Sequence, residues 1–254
     1  MKKTIIITGG TGLIGQTIVI NFLKKGHRVI TSSRNPDRAK YISDNKLDEF
    51  QKNLFIIKLD YLKNDSIQNF VDVVESYNLF PEVIIHNARS LDTLKIEEGG
   101  ITSEKNFLNE YKIGIVGPYN LNNLFMNSIS GKNLKNIILI SSIYGIVGPN
   151  PSIYKNFEME SPIQYGITKA AQIHLVKELA VRLSSKKIKV NSISFGGILG
   201  RADNSFIERY SKFTPQNKML NVYDVIKPIE FLIDEGTESI NGHNLIVDGG
   251  WTIW

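Results

Sequence analysis

The chain has 254 residues, 42% of them hydrophobic and 22% charged, with 30 Lys+Arg against 25 Asp+Glu, a net charge of +5 and no Cys. That composition excludes a disordered, collagen-like or low-complexity protein. The missing cysteines exclude disulfides, a thiolate nucleophile and cysteine-based metal sites. No apolar run approaches the ~18 residues of a membrane span. The run Ile5 to Ile7 after Lys2-Lys3 stops at Gly9-Gly10, too soon for a secretory signal. A cytoplasmic protein without membrane contact is expected. The basic excess is dispersed, which fits anionic small ligands better than nucleic acid.

Apolar segments alternate between two types along the chain. Thr4 to Thr8 is a β-branched strand. A helix from Leu13 to Lys25 follows, with Ile14, Ile18, Phe22, Val19 and Leu23 on one face, and Gly26 stops it. Arg28 to Ser32 is a second strand, and Asn35-Pro36-Asp37 starts a short polar helix. Leu54 to Leu59 is a third strand. Asp65-Ser66 caps a helix to Tyr77, and Val83 to His86 is a fourth strand. A loop, Arg89 to Ser103, precedes one long helix from Ser103 to Ile129. Ile137 to Ile140 is a fifth strand, and a Gly/Pro/Asn-rich loop runs from Gly145 to Ser161. Pro162 opens a helix to Leu183. Ile188 to Ser194 is a sixth strand, followed by an irregular segment, Phe195 to Lys218. A helix from Val222 to Asp234 and a strand, Leu245 to Val247, close the chain. Seven strands alternating with helices predict an α/β protein: a doubly wound parallel sheet with helices on both faces. With no linker and no repeat, residues 1–254 are expected to form a single domain.

The turn Thr8 to Gly15 reads TGGTGLIG and joins the first strand to the first helix. Gly9 allows a tight turn, Gly12 lets the backbone approach a pyrophosphate, and Gly15 lets the helix pack on the sheet. The helix N-terminus then offers N–H groups to phosphates. The second strand ends in Ser32-Ser33-Arg34, with no acid to grip a ribose 2′-hydroxyl. Arg34 suits a 2′-phosphate, so NADP(H) is expected over NAD(H).

Tyr165 and Lys169 lie four apart near the start of a helix, on one face. Ser141-Ser142 ends the fifth strand. Ligands of open α/β sheets bind beyond the carboxyl ends of strands, where a hydroxyl, a phenol and an ammonium can meet. The ammonium favours the phenolate, which makes Tyr165 usable as a general acid or base. Taken alone, a Tyr and a Lys four apart describe an ordinary amphipathic helix better than a site.

The ordered set decides. The glycine turn, Asp60, His86-Asn87-Ala88-Arg89, Ser142, Tyr165/Lys169, Val190 to Gly197 and Val247-Asp248-Gly249-Gly250 together resemble a single-domain short-chain dehydrogenase/reductase, nearly end to end. The resemblance implies a Rossmann fold and hydride transfer between NAD(P) and a carbonyl/alcohol pair. It implies Tyr165 as acid/base, Lys169 as the group that holds the nicotinamide ribose and lowers the Tyr pKa, and Ser142 as the group that orients substrate. Gly9, Thr11, Gly12, Leu13, Ile14, Gly15, Ser33, Arg34, Asp60, Tyr61, Asn87, Ala88, Arg89, Gly196 and Ile198 would line the cofactor, with Asp60 at the adenine and Asn87 steadying the strand-end turn. A homodimer or homotetramer, paired through the two long helices, is also implied. No metal is implied, and His27, His86, His174 and His243 show no ligand spacing.

The departures are specific. The first turn has the spacing TGxxGxxG of the branch that modifies nucleotide sugars, with Leu13 where glycine is usual. Gly114 stands where the family has an asparagine that helps hold the water of a proton relay. Arg89 replaces a glycine and Phe195 a proline. Ser142 and Tyr165 are 23 positions apart, wider than usual. That insert carries Tyr154, Lys155, Phe157 and Glu158 and should border the active-site mouth. The insert, Ser161-Pro162 and Phe195 to Ile198 resemble oxidoreductases of bacterial surface-sugar pathways, such as those for flagellin glycans and nonulosonic acids. A sugar or sugar-phosphate substrate is therefore expected, with Arg89 or Arg201 meeting an anionic group. A nucleotide-sugar epimerase or dehydratase with retained NAD, or a cofactor-binding protein without catalysis, are the alternatives. Trp251 and Trp254 are expected to pack against a core or a subunit.

Overall fold

The computed structural model describes residues 2–36 and 48–254; the polar helix expected after Asn35-Pro36-Asp37 falls outside them. The strands are β1 (Thr4–Ile7), β2 (Arg28–Ser33), β3 (Leu54–Lys58), β4 (Val83–His86), β5 (Asn136–Ser142), β6 (Lys189–Phe195) and β7 (Asn244–Val247). They pair in parallel as one sheet in the order β3-β2-β1-β4-β5-β6-β7. Successive side chains leave opposite faces. Ile6 joins one core cluster with Phe70, Leu121, Phe125 and Val176, while Ile5 and Ile7 join another with Ile18, Val19, Phe22 and Ile229. Both faces are therefore covered by helices, in the Rossmann arrangement. The chain reverses direction across the sheet between β1 and β4, the switch point at which such sheets open a crevice.

Helix α1 (Leu13–Lys24) buries Ile18, Val19, Phe22 and Leu23. It ends as the sequence indicates: Gly26 has φ +78°, its N–H donates to the Leu23 carbonyl, and the His27 N–H donates to Phe22. Helix α2 (Ser66–Ser76) begins without the expected cap. Asp65 has helical φ/ψ and makes no side-chain cap bond, because capping requires extended backbone at that residue. Ser66 Oγ instead accepts the Asp60 N–H at 2.8 Å.

The expected single helix from Ser103 to Ile129 is interrupted. It comprises α3 (Glu104–Tyr111), a π turn (Lys112–Val116) and α4 (Gly117–Met126). Pro118 has no N–H to give the Gly114 carbonyl, which breaks the i→i−4 ladder at that point. Two segments expected to be irregular contain short helices, α5 (Phe157–Glu160) and α7 (Asn204–Ser211). Asn156 and Asp203 cap them, accepting the N–H groups of Met159 and Phe206. Helix α6 (Ile163–Leu183) lies between them, and α8 (Ile226–Ile233) follows a 3₁₀ turn at Val222–Val225. Trp251 packs against Tyr210 with ring centroids 5.8 Å apart, but Trp254 is 75% exposed. Among the described residues no helix is long and apolar enough to cross a membrane.

His86 closes β4 in a buried position, with Nε2 2.9 Å from Asn122 Oδ1. Burial pushes its pKa down from 6.5 to about 4, against a smaller upward pull from Asn122. The folded imidazole stays neutral, while the unfolded one takes a proton below pH 6.5. Stability is therefore lost as pH falls from 6.5 towards 4, by up to about 3 kcal/mol. Urea unfolding across that range should show a steeper loss for the wild type than for His86→Gln; equal slopes would contradict this account.

Candidate active site

A cavity of about 960 Å³ opens at the carboxyl ends of the strands, over the β1/β4 switch point. All eighteen site residues expected from sequence line it, from Gly9 to Ile198. They arrive on separate loops: Gly9, Thr11, Gly12, Leu13, Ile14 and Gly15 after β1, Ser33 and Arg34 at the end of β2, and Asp60 and Tyr61 after β3. Asn87, Ala88 and Arg89 follow β4, Ser142 ends β5, Gly196 and Ile198 follow β6, and Tyr165 and Lys169 lie on α6.

Three of the four glycines of the first turn, Gly9, Gly12 and Gly15, answer to different constraints. Gly9 has φ +70°, and a Cβ there would lie 2.7 Å from Ala88 Cα. A Cβ on Gly15 would lie 2.3 Å from the Gly9 carbonyl oxygen. A Cβ on Gly12 would meet nothing closer than 3.6 Å. Gly9 and Gly15 are thus required by the protein itself, whereas Gly12 faces open cavity. No side chain caps the α1 N-terminus and no acid lies in its first turn, so the helix end presents N–H groups to the cavity with a partial positive charge. That end fits the pyrophosphate of a dinucleotide. Leu13 does not spoil the turn: its side chain packs toward Gly200, where a Cβ would lie 2.6 Å from Leu13 Cδ2.

Polar bonds fix the neighbouring strand ends. Thr8 Oγ1 accepts the N–H groups of Asn87 and Ala88, each at 3.0 Å. Asn87 Nδ2 donates to the carbonyls of Thr8 and Gly9, tying β4 to β1 at the switch point. Ser32 Oγ accepts the Gly9 N–H at 3.1 Å. Asp60 Oδ1 accepts the Leu62 N–H at 3.0 Å. Arg34 Nη1 lies 3.3 Å from Asp92 Oδ2, and that contact holds the Asp92 carboxyl below its ordinary range. The pair is exposed and contributes little to stability, so its guanidinium is easily surrendered to a stronger anion. Asp92 also lines the cavity. Nothing in the sequence near Arg34 signals it, because it comes from the loop after β4.

Two glycines let α6 approach the end of β5. A Cβ on Gly145 would lie 2.7 Å from the Lys169 carbonyl carbon, and one on Gly166 would lie 3.1 Å from the Tyr144 carbonyl oxygen. Ser141 Oγ donates to the Lys169 carbonyl at 3.0 Å, leaving Ser142 to face Tyr165. The Tyr165 ring lies close to two cations, with Arg89 Cζ 5.0 Å and Lys169 Nζ 5.6 Å from its centroid. Burial by itself would raise the phenol pKa. The charges of Lys169 and Arg89, with hydrogen bonds from Ser142 and Arg89, outweigh it and bring the phenol below its ordinary value. Burial lowers the Lys169 pKa, and Tyr165 and Glu110 oppose that fall. An asparagine at Gly114 would require Thr168 to shift, since a Cβ there would lie 2.3 Å from the Thr168 methyl.

The insert before α6 and the segment after β6 form the outer wall. Lys155 pairs with Asp203 at 3.0 Å, and Arg209 Nε donates to the Ile153 carbonyl at 2.8 Å. Tyr154 packs on Phe206 and Phe206 on Tyr210, while the Tyr144 and Tyr154 hydroxyls are hydrogen-bonded at 2.6 Å. Tyr144, Tyr154, Arg201, Phe206 and Tyr210 all line the cavity. Of these, Tyr144, Phe206 and Tyr210 carry no sequence motif and become visible only when the two segments close on each other.

The fold and the cavity define a dinucleotide-binding α/β protein with a serine, a tyrosine and a lysine where the strands end. Residues 11–252 match the family model described as enoyl-(acyl carrier protein) reductase. The chain is 26% identical to post-translational flagellin modification protein A of Campylobacter coli, over 98% of both chains. It is 27% identical to a short chain dehydrogenase from Leptospira borgpetersenii solved with bound NAD+, with a TM-score of 0.83 over 99% of this chain and 93% of that one. It is also 27% identical to ElxO, solved with NADP bound, with a TM-score of 0.83 over 100% of both chains. The chain belongs to the short-chain dehydrogenase/reductase family and is an oxidoreductase of that family.

The glycine geometry separates folding from binding. Gly15→Ala should destabilise the protein by about 1–3 kcal/mol through overpacking. Gly12→Ala should leave the unfolding midpoint in place and weaken NADPH binding at least about tenfold. Thermal unfolding and NADPH fluorescence titration read the two effects; the reverse pattern would contradict the assignment.

Proposed function

We propose that this chain is a cytoplasmic NADP(H)-dependent oxidoreductase that interconverts a carbonyl and a secondary alcohol on a sugar or sugar-phosphate, working as a single Rossmann domain within a homodimer or homotetramer. The observation that carries the reading is the Tyr165 ring with Lys169 Nζ 5.6 Å and Arg89 Cζ 5.0 Å from its centroid, in the same cavity as Ser142 and the glycine turn. A bound nicotinamide dinucleotide supplies or accepts the hydride. Ser142 orients the substrate oxygen by hydrogen bonding. Tyr165 gives that oxygen its proton in reduction and takes it back in oxidation. Lys169 holds the nicotinamide ribose and favours the phenolate. The α1 N-terminus receives the pyrophosphate, Asp60 and Tyr61 border the adenine, and Gly196 and Ile198 border the nicotinamide.

The preference for NADP(H) rests on Ser33 and Arg34 at the end of β2, where a guanidinium matches a phosphate. The sugar reading rests on the hydroxyl-bearing aromatic wall and on the Campylobacter coli relative. Arg89 and Arg201 are the cations for an anionic substrate group. Exposed Leu108, Tyr111 and Tyr119 on α3–α4 and Ile163 and Ile167 on α6 support pairing of subunits through those helices.

NADPH oxidation and NADP reduction should be followed over keto and hydroxy sugars, their phosphates and acyl carbonyls. Turnover is expected, faster with phosphorylated sugars. NADPH binding without turnover across the panel would overturn the reading. Arg34→Ala should weaken NADPH about tenfold, the worth of one charge-assisted hydrogen bond, and leave NADH unchanged; equal weakening of both would contradict the NADP assignment.

A further inference from the structure

Lys169 is 7% exposed, and a buried ammonium needs acceptors for its N–H groups. Nζ donates to the Ile140 carbonyl at 2.7 Å and to Gln172 Oε1 at 3.0 Å. Gln172 is itself 3% exposed, and its Nε2 donates to the Gly114 carbonyl at 2.9 Å. The amide has one satisfied orientation here. Flipped, it would set an NH₂ against the ammonium and an oxygen against a carbonyl. The Gly114 carbonyl is open to this bond because Pro118, four residues on, has no N–H. Tyr165, Lys169 and Gln172 fall at i, i+4 and i+7 along α6, on one face.

We propose that Gln172 is a positioning residue that keeps the Lys169 ammonium charged and aimed at Tyr165, with the Gly114 carbonyl of the π turn as its fixed support. The inference rests on the reading of Tyr165 as the acid/base group. With two N–H groups committed to Ile140 and Gln172, one remains for the side of Tyr165 and the cofactor. Tyr165, Arg89 and Glu110 are the charged or titratable groups that act on Lys169. Tyr144 and Tyr154 interact with the Tyr165 phenol as well. Arg89 opposes the ammonium and Glu110 supports it. Gln172 supplies an acceptor with no negative charge, so it steadies the ammonium without offsetting the positive field that acidifies the phenol.

The test is a tyrosinate absorbance titration of the full chain. Wild type minus Tyr165→Phe isolates the Tyr165 phenol. Gln172→Met minus Gln172→Met/Tyr165→Phe isolates it in the absence of the amide. In the methionine background Tyr165 should be about a tenfold weaker acid, because Lys169 loses an acceptor and with it part of its charge. If the wild-type phenol titrates below an ordinary tyrosine and Gln172→Met leaves it unmoved, the role of Gln172 is overturned while that of Tyr165 stands. If the wild-type phenol shows no such acidity, both fail. Should Gln172→Met not fold, side-chain amide exchange on the wild-type chain decides: Gln172 NH₂ should exchange at least about tenfold more slowly than exposed glutamines, and equal rates would overturn the proposal.

Discussion

A buried ammonium must be solvated by the protein that buries it. Much of the local architecture around Lys169 follows from that requirement. The Ile140 carbonyl and the Gln172 amide oxygen accept two of its N–H groups. Ser141 pins its backbone carbonyl, and Gly145 and Gly166 give α6 the clearance to come this close to β5. The π turn at Lys112–Val116 leaves the Gly114 carbonyl for Gln172. In return, the ammonium lies 5.6 Å from the Tyr165 ring centroid and helps bring a buried phenol below its ordinary pKa.

The cofactor end of the cavity depends on a different constraint, close approach of backbones. Gly9 and Gly15 fold the first turn against Ala88 and Asn87, and Gly12 leaves the α1 N-terminus open. Thr8 and Asn87 lock β1 to β4 where the strand order reverses. The overall charge of +5 has a local counterpart in Arg34, Arg89, Lys169 and Arg201, all lining one cavity. Cations gathered in a cleft favour anionic small molecules.

The sheet, its parallel sense and eighteen of the cavity-lining residues were legible in the sequence because each depends on local patterns, whereas Asp92, Tyr144, Phe206 and Tyr210 were not. β-branched runs such as Thr4 to Thr8 mark strands, glycines mark the first turn, and Tyr165 and Lys169 share a helix face by spacing alone. What was not legible depends on contacts between distant segments. The π turn follows from Pro118 withholding an N–H from Gly114, and its support from Gln172 arrives across 58 positions. Helices α5 and α7 were hidden because a single Asn or Asp cap, not a long apolar period, starts each of them. Asp65 looked like a cap but adopts helical backbone, and Ser66 is engaged with Asp60. Trp251 completes an aromatic stack, whereas Trp254 is exposed within the single chain with its Nε1 donating to the Phe213 carbonyl, a difference no local pattern encodes.

The central claim is that the Tyr165 phenol handles the proton while a nicotinamide handles the hydride. The most direct test is kcat/KM for NADPH-dependent carbonyl reduction in Tyr165→Phe, measured beside NADPH affinity. The account predicts a loss of about 10²–10⁴-fold in kcat/KM with NADPH binding nearly unchanged. Undiminished turnover in Tyr165→Phe would contradict it.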